Sequence, residues 1–488
     1  MNNIKNNIKN LRKGKIKMNI KQSLLMTNPW WKKEKINPQF LLGRKRYEFK
    51  DILSKIEDKR ILSIIGPRRV GKSTLIYQTI NYLLEEKKVN EKRILLFSGD
   101  DPSLFFNEND KLSNVLEVYF NEILEENISN LSEKVYIFID EIHFIKNWQN
   151  YLKICYDRKY NIKFIVTGSS SLHLFKDANE SLLGRIENIY VLPLTFNQFM
   201  NFYMTYIDKS EDIIIPKIDL NDMEKSFKEL EKYYYNEEQK IKIKKILKKY
   251  ILVGGYPEYF EIKDIDVWQK QLSEDIIARG IYKDILTMYN IKTPEILEKL
   301  MYFIAANNAQ TFAYSNIAAN FGIDTTTIMT YLGYLKQAFL INVLENYSSN
   351  IAKIIRTNKK ISILDNGIQN SLMKQKEIDD NLAGHIIESM VDFDFRLLCE
   401  RENYSQYYYR NTDKEEIDII LDRKIDIVPI EVKYTNQIEG KDLKNINNFI
   451  ETHKNASINR TKFGIIITKD IYKKEGNLYF IPYWLLNL

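Results

Sequence analysis

Along the N-terminal part of the chain, short apolar runs alternate with stretches whose apolar positions recur at helical spacing. The runs at 61–65 (ILSII), 93–98 (ILLF at its centre), 135–139 (VYIFI) and 163–167 (FIVT in its last four) carry almost no polar residue. Strands buried on both faces read this way. A shorter run at 189–192 adds a fifth strand, and amphipathic periods at 44–58, 75–84, 112–126 and 148–156 predict the helices between them. Such alternation predicts an α/β fold, a parallel sheet with helices on both faces. From 199 to 284 the strand pattern mostly disappears; 219–249 is charged and helical, and Gly254-Gly255-Tyr256-Pro257 is the one Gly/Pro cluster, so a helical lid is expected. A new helical unit opens at 293–306. In 314–334, Ile317 and Ala318 lie on a short helix, Phe321-Gly322-Ile323 turns, and Asp324 caps a second helix bearing Thr327, Ile328, Tyr331 and Leu335. Runs at 340–344 and 360–364 are expected to pair as a wing around 347–359. Beyond 365 the α/β pattern returns, with a hairpin of 417–421 and 430–433, a helix at 442–453, and strands at 463–468 and 478–484.

Chemistry enters where the first strand ends. Gly66-Pro67-Arg68-Arg69-Val70-Gly71-Lys72-Ser73, followed by Thr74, fits the phosphate-binding loop G-x-x-x-x-G-K-[ST], set between a predicted strand and a predicted helix. Gly66 and Gly71 free the backbone so that loop N–H groups turn toward phosphate oxygens. Lys72 reaches the β- and γ-phosphates, Ser73 ligates magnesium, and the following helix aims its N-terminus at the same anion. The strand 135–139 ends in Asp140-Glu141, at the tip where α/β sheets bind ligands. Asp140 is placed to hold magnesium and Glu141 to deprotonate the attacking water. Thr167, or less favourably Ser169, ends the neighbouring strand where a polar side chain senses the γ-phosphate. Arg185 stands where an arginine finger reaches a neighbouring subunit's nucleotide, worth ~10³–10⁵ in rate when it acts; a surface arginine is the competing reading.

Composition changes little. A chain of 488 residues exceeds one core, and 44% hydrophobic with 28% charged residues is ordinary for a soluble protein. Cys155 and Cys399 lie far apart without metal spacing, which fits a reducing cytoplasm. No apolar run approaches a bilayer span, and no signal-peptide core is seen, so no membrane partner is expected. The net charge of +7 is discounted because heavy use of Lys, Ile, Asn and Tyr suits an AT-rich genome. From Met1 to Lys33 there are cations and no acid; this arm either tracks a nucleic-acid backbone or is a solvated tail, and Met18 is an alternative start.

The terminal hairpin holds a second constellation. Glu431 and Lys433 share one strand face, as do Glu416 and Asp418 on the other strand. Asp418 with Glu431-Val432-Lys433 matches the D…ExK pattern of metal-dependent nucleases: Asp418, Glu431 and the Val432 carbonyl hold Mg²⁺ or Mn²⁺, and Lys433 positions the water. The competing reading is a solvated, salt-bridged hairpin. Pro429 is expected to bulge its strand. The wing cations Lys353, Arg356, Lys359 and Lys360 are candidates for phosphate contacts, whereas the second helix of the helix-turn-helix opens with Thr325-Thr326-Thr327 and no basic cluster.

Taken together, GPRRVGKST, FIDEIH, VTGSSS…LLGR, LVGGYP and EEIDIILDRKIDIVPIEVKYT resemble the AAA+-like ATPases of archaea and bacteria that carry a C-terminal DUF4143-type domain. The resemblance runs from about residue 37 to the C-terminus. With the patterns above, the expected organisation is a basic arm at 1–37, a P-loop core at 38–198 that the resemblance makes AAA+-like, a helical lid at 199–290, a winged helix at 291–364 and, as the resemblance implies, a restriction-endonuclease-like α/β domain of the PD-(D/E)xK type at 365–488. The resemblance also implies Glu388, in HIIESM, as the acidic residue that the nuclease-like fold contributes from its first helix. The expected function is ATP binding and hydrolysis with Mg²⁺, in association with DNA and with metal-dependent cleavage of it as the further step. The alternative is a nucleotide-driven switch or scaffold that binds a protein and cuts nothing. A homo-oligomer follows if Arg185 acts in trans.

Overall fold

The continuous apolar runs become the strands of a five-stranded sheet: β1 (Ile61–Ile65), β2 (Ile94–Ser98), β3 (Val135–Asp140), β4 (Ile162–Gly168) and β5 (Ile186–Tyr190), in the order β2-β3-β4-β1-β5 with every pair parallel. The computed structural model describes residues 20–41, 44–104, 112–168, 182–286, 289, 291, 293–348, 354, 357–454 and 460–488. The chain divides into two units, Met1–Leu192 and Pro193–Leu488.

In the first unit, β1, β3 and β4 are central, and Leu62, Ile64, Ile137, Phe138, Ile165 and Val166 are fully buried. Burying each such side chain stabilises by roughly 1.5–3 kcal/mol. The fifth strand starts earlier than its apolar run, with Ile186 opposite Ile61. It is an edge strand, and Glu187 on it pairs with Lys55 and Arg60, so polar residues mask its beginning. The other edge, β2, is covered by the segment expected to be a basic arm. There the expectation is corrected over residues 20–36: Ile20, Leu24, Trp30 and Ile36 are buried. The Asn28 side chain donates to the Leu96 carbonyl at 2.8 Å and accepts from the Leu96 N–H at 2.7 Å, while both Trp30 and Trp31 indoles donate to the Ile94 carbonyl. An open sheet edge carries unpaired backbone groups, and this segment satisfies them. Residues 1–19 lie outside the described residues.

The second unit opens with the helix Phe196–Tyr203 and continues with Met223–Tyr234, Glu237–Val253 and Ile265–Glu274, in the region expected to be helical. Gly254 and Gly255 follow the second of these because nothing larger fits. A Cβ on Gly254 would lie 2.3 Å from Asp365 Oδ1, and one on Gly255 2.2 Å from the Leu194 carbonyl oxygen. Buried Asp365 accepts the Gly255 N–H at 2.8 Å, and Asn366 and Asn370 donate to the last carbonyls of the Glu237–Val253 helix. LVGGYP is therefore a packing motif in this fold. The helix-turn-helix is Tyr314–Phe321 and Thr325–Gln337, with Gly322 left-handed at the turn and Asp324 accepting the Thr327 N–H at 2.8 Å.

The remaining strands are β6 (Gln310–Phe312), β7 (Ile341–Asn346), β8 (Lys359–Ile363), β9 (Ser405–Arg410), β10 (Glu416–Asp422), β11 (Ile427–Lys433), β12 (Gly464–Thr468), β13 (Lys473–Glu475) and β14 (Leu478–Pro482). They form one mixed nine-stranded sheet in the order β13-β14-β12-β11-β10-β9-β7-β8-β6. β7 pairs with β8, as expected of a wing, but also runs parallel to β9. The wing strands and the terminal strands thus share a sheet. The Asp380–Glu402 helix packs against β8 to β11. Pro429 causes no bulge and faces Ile420 in register; the irregularity lies between Ile417 and Ile420 in the β9 pairing, around Asp418.

Candidate active site

At the end of β1 the backbone passes so close to the next strand's exit that a Cβ on Gly66 would meet the Val191 carbonyl oxygen at 1.8 Å. Gly71 is left-handed (φ 95°) and caps the Lys72–Glu85 helix, with open space where its Cβ would be. Lys72 opens that helix, followed by Ser73 and Thr74. The buried Lys72 ammonium donates to the carbonyls of Gly66 (2.9 Å) and Pro67 (2.8 Å). Arg68, Arg69 and Val70 complete the loop. Arg46 holds it from behind, donating to the Val70 carbonyl at 2.8 Å and the Leu192 carbonyl at 2.6 Å while paired with Glu48. In the sequence Arg46 lies only within an amphipathic helical period, well ahead of the loop, and no local signal marks its role.

The tips of β3 and β4 complete the site. Ser73 Oγ donates to Asp140 Oδ2 at 2.7 Å, Thr167 Oγ1 donates to Asp140 Oδ1, and Glu141 N–H donates to Thr167 Oγ1 at 2.9 Å. Thr167 thus fixes both acidic residues. Glu141 is left-handed (φ 47°), which turns it out of the strand line, and His143 Nδ1 lies 3.3 Å from its carboxylate. The peptide after it packs tightly: a Cβ on Gly99 would lie 2.6 Å from the Glu141 carbonyl oxygen. Lys72, Ser73, Asp140, Glu141 and Thr167 are brought together. Arg185 is not. It precedes β5 at the sheet end opposite the loop, where its carbonyl accepts the Ile61 N–H and its guanidinium pairs with Asp157 at 2.7 Å. Ser169 lies outside the described residues.

The terminal constellation also assembles, with an unexpected member. Asp418 on β10, Glu431 and Lys433 on β11 and Glu388 on the Asp380–Glu402 helix converge on Lys360 of β8. Lys360 Nζ lies 2.9 Å from Asp418 Oδ1 and pairs with Glu388 Oε1. Asp418 Oδ2 accepts the Val432 N–H at 2.9 Å, and Lys433 Nζ lies 2.7 Å from Glu431 Oε1. Burial pushes both Glu388 and Glu431 up to about 8, against the pull of the adjoining ammonium groups. Burial also acts to raise Asp418, but Lys360 and the Val432 N–H outweigh it and hold the carboxyl below its ordinary range. The wing reading is corrected here: Lys359 and Lys360 are buried strand residues, drawn in by the sheet and the carboxylates, and Lys353 and Arg356 lie outside the described residues. Lys360 is the functional-type residue that the sequence reading misassigned. Its signal is positional, a cation sharing a strand face with Ser362 between buried Ile361 and Ile363. Among the described residues no group of three or more His, Cys, Asp or Glu is arranged to hold a metal ion. No helix among them is long and apolar enough to cross a membrane.

A family model described as an AAA domain matches residues 58–200, and models of two domains of unknown function, DUF8612 and DUF4143, match 244–379 and 383–486. An uncharacterized protein of Methanocaldococcus jannaschii is 28% identical over 451 residues, covering 90% of this chain and 88% of the relative. An uncharacterized protein of Haemophilus influenzae is 25% identical over 397 residues, covering 78% and 84%. The solved structure of the Aeropyrum pernix ORC1 protein in complex with DNA aligns at a TM-score of 0.32 and 10% identity, covering 71% of this chain and 96% of that one; a likeness so distant does not bear on what this chain binds. With the nucleotide loop inside the first matched region and the carboxylate cluster reaching into the last, this chain carries an AAA domain and a DUF4143 domain and is homologous to uncharacterized proteins of archaea and bacteria.

Proposed function

We propose that the chain binds ATP with Mg²⁺ at 66–74 and hydrolyses it, acting as a nucleotide-driven switch for a protein partner. The observation that carries the first half is the hydrogen-bonded chain Ser73–Asp140–Thr167–Glu141 beside Lys72. These groups fit the proposed ligands. Ser73 and Asp140 offer the hard oxygens that Mg²⁺ takes, and the open space at Gly71 leaves room for phosphate against the loop backbone. Magnesium, when bound there, neutralises charge on the phosphate oxygens. Lys72 exchanges its two carbonyl partners for phosphate oxygens. Glu141 accepts a proton from the attacking water, and Thr167 keeps its backbone and Asp140 in fixed relation. Arg185 acts, if subunits assemble, on a neighbour's nucleotide.

The protein-partner half rests on what the winged helix presents. Its second helix, Thr325–Gln337, carries a single cation, Lys336, in the last turn, and Met329 is exposed. Lys359 and Lys360 are buried. Phosphate contacts need accessible Lys and Arg, and these elements supply few. The test is hydrolysis measured with and without single- and double-stranded DNA, together with sedimentation in ATP and ADP. Turnover lost in Lys72→Ala, little DNA stimulation and nucleotide-dependent assembly support the reading. Strong DNA stimulation with a salt-dependent affinity overturns the protein-partner half. Hydrolysis at the wild-type rate in Lys72→Ala overturns the first.

A further inference from the structure

Glu388, Asp418 and Glu431 sit where the D…ExK pattern anticipates a divalent ion, yet the place between Glu388 and Asp418 is taken by the Lys360 ammonium. Lys360 is not on a loop. It lies in β8 opposite Leu344 of β7 and Thr311 of β6, so strands on both sides hold its backbone. Its side chain is 5% exposed, so the ammonium sits inside the carboxylate cluster away from solvent. Four of the six carboxylate oxygens are engaged: Asp418 Oδ1 by Lys360, Asp418 Oδ2 by the Val432 N–H, Glu388 Oε1 by Lys360 and Glu431 Oε1 by Lys433; Glu431 Oε2 is buried without a hydrogen-bond partner. Mg²⁺ needs near-octahedral oxygen ligands at about 2.0–2.1 Å. An ammonium 2.9 Å from the central oxygen competes for it and repels the ion.

Charge agrees with geometry. With all five groups ionised, three carboxylates face two ammonium groups, a deficit of one positive charge. A divalent ion would overshoot it. Removing the Lys360 charge would leave a deficit of two, which one divalent ion matches.

We propose that Lys360 is the resident cation of this cluster and stands in place of a divalent metal, so that the terminal domain is a non-cleaving module closed by a carboxylate–ammonium knot. The inference concerns the second unit alone and does not depend on ATP hydrolysis at the loop.

The test uses the full chain, nucleotide-free, with Mn²⁺ alone as probe, read by the loss of the free-ion paramagnetic signal and by melting temperature. Wild type is expected to show no Mn²⁺ binding that Asp418→Asn removes, and no cleavage of plasmid DNA with millimolar Mn²⁺. Lys360→Met is expected to melt at lower temperature without metal and to regain stability with Mn²⁺, an effect lost in the Lys360→Met/Asp418→Asn double variant. Asp418-dependent Mn²⁺ binding or cleavage by wild type overturns the proposal, as does a folded Lys360→Met that gains no Mn²⁺ affinity. If Lys360→Met does not fold even with Mn²⁺, the wild-type measurements decide: no Asp418-dependent binding or cleavage sustains the proposal, and either one overturns it.

Discussion

Asp140 and Asp418 both end up beside a lysine-bearing element at the heart of an α/β sheet, but their partners differ in kind. Asp140 is held by two hydroxyls, Ser73 and Thr167. Asp418 is held by an ammonium and a backbone N–H. A hydroxyl adds no charge and can turn its lone pairs to an incoming cation while the carboxylate keeps its own. An ammonium neutralises the carboxylate and blocks the approach. The difference separates a site prepared to receive a cation from outside from one that already contains it. Position differs too: Asp140 ends its strand, whereas Asp418 lies within β10 at the irregularity in its pairing with β9.

The comparison breaks most visibly at Glu141. Glu141→Gln should lower the turnover number by ~10²–10⁴, the scale of a lost general base, while nucleotide binding stays within a few-fold. Wild-type turnover in that variant, measured by phosphate release, would remove Glu141 from the chemistry. In the other region, Asp418→Asn should leave hydrolysis per folded chain unchanged but destabilise the second unit by about 3–5 kcal/mol, because it strips a buried ammonium of a charged partner. Calorimetry of the full chain checks this; an unchanged melting profile would mean the knot contributes nothing to stability. The pH response sharpens the same contrast. Glu431 is raised from 4.5 to about 8, so the folded state holds a proton that the unfolded state has released. Stability from this group is fully present below pH ~4.5 and is lost as pH rises toward about 8. Glu431→Gln should flatten that decline; an unaltered slope between pH 5 and 8 would assign the effect elsewhere. The smallest effect is expected at Thr167. Thr167→Val removes the hydrogen bond donated to the Asp140 carboxylate and the one accepted from the Glu141 N–H, and should cost about tenfold in turnover, from ~1.5 kcal/mol. No change would make Thr167 a packing residue.

How much of this was readable from the chain follows from range. The nucleotide loop and the β3 tip are local: a strand, a turn and a helix within a few residues of each other carry their own signals, and Gly66, Lys72, Ser73, Asp140 and Glu141 appear together as expected. Glu388, Asp418, Glu431 and Lys433 were also named, since the fold resemblance and strand alternation supply them. Lys360 reads instead as a wing cation, because its partners are 28 and 58 residues away and the β7–β9 pairing that joins β8 to the hairpin's sheet leaves no trace in local periodicity. The docked segment at 20–36 was hidden because it continues the acid-free basic stretch from Met1 to Lys33, while Ile20, Leu24 and Trp30 do the packing. Ile186 to Asn188 of β5 were hidden by the polar face of an edge strand.

The most direct test counts cations. Mn²⁺ is titrated into the full wild-type chain with a slowly hydrolysed ATP analogue, and bound ion is read from the paramagnetic signal. The account predicts one ion per chain, dependent on the analogue and lost in Ser73→Ala. A second ion per chain, independent of nucleotide and lost in Asp418→Asn, would contradict it.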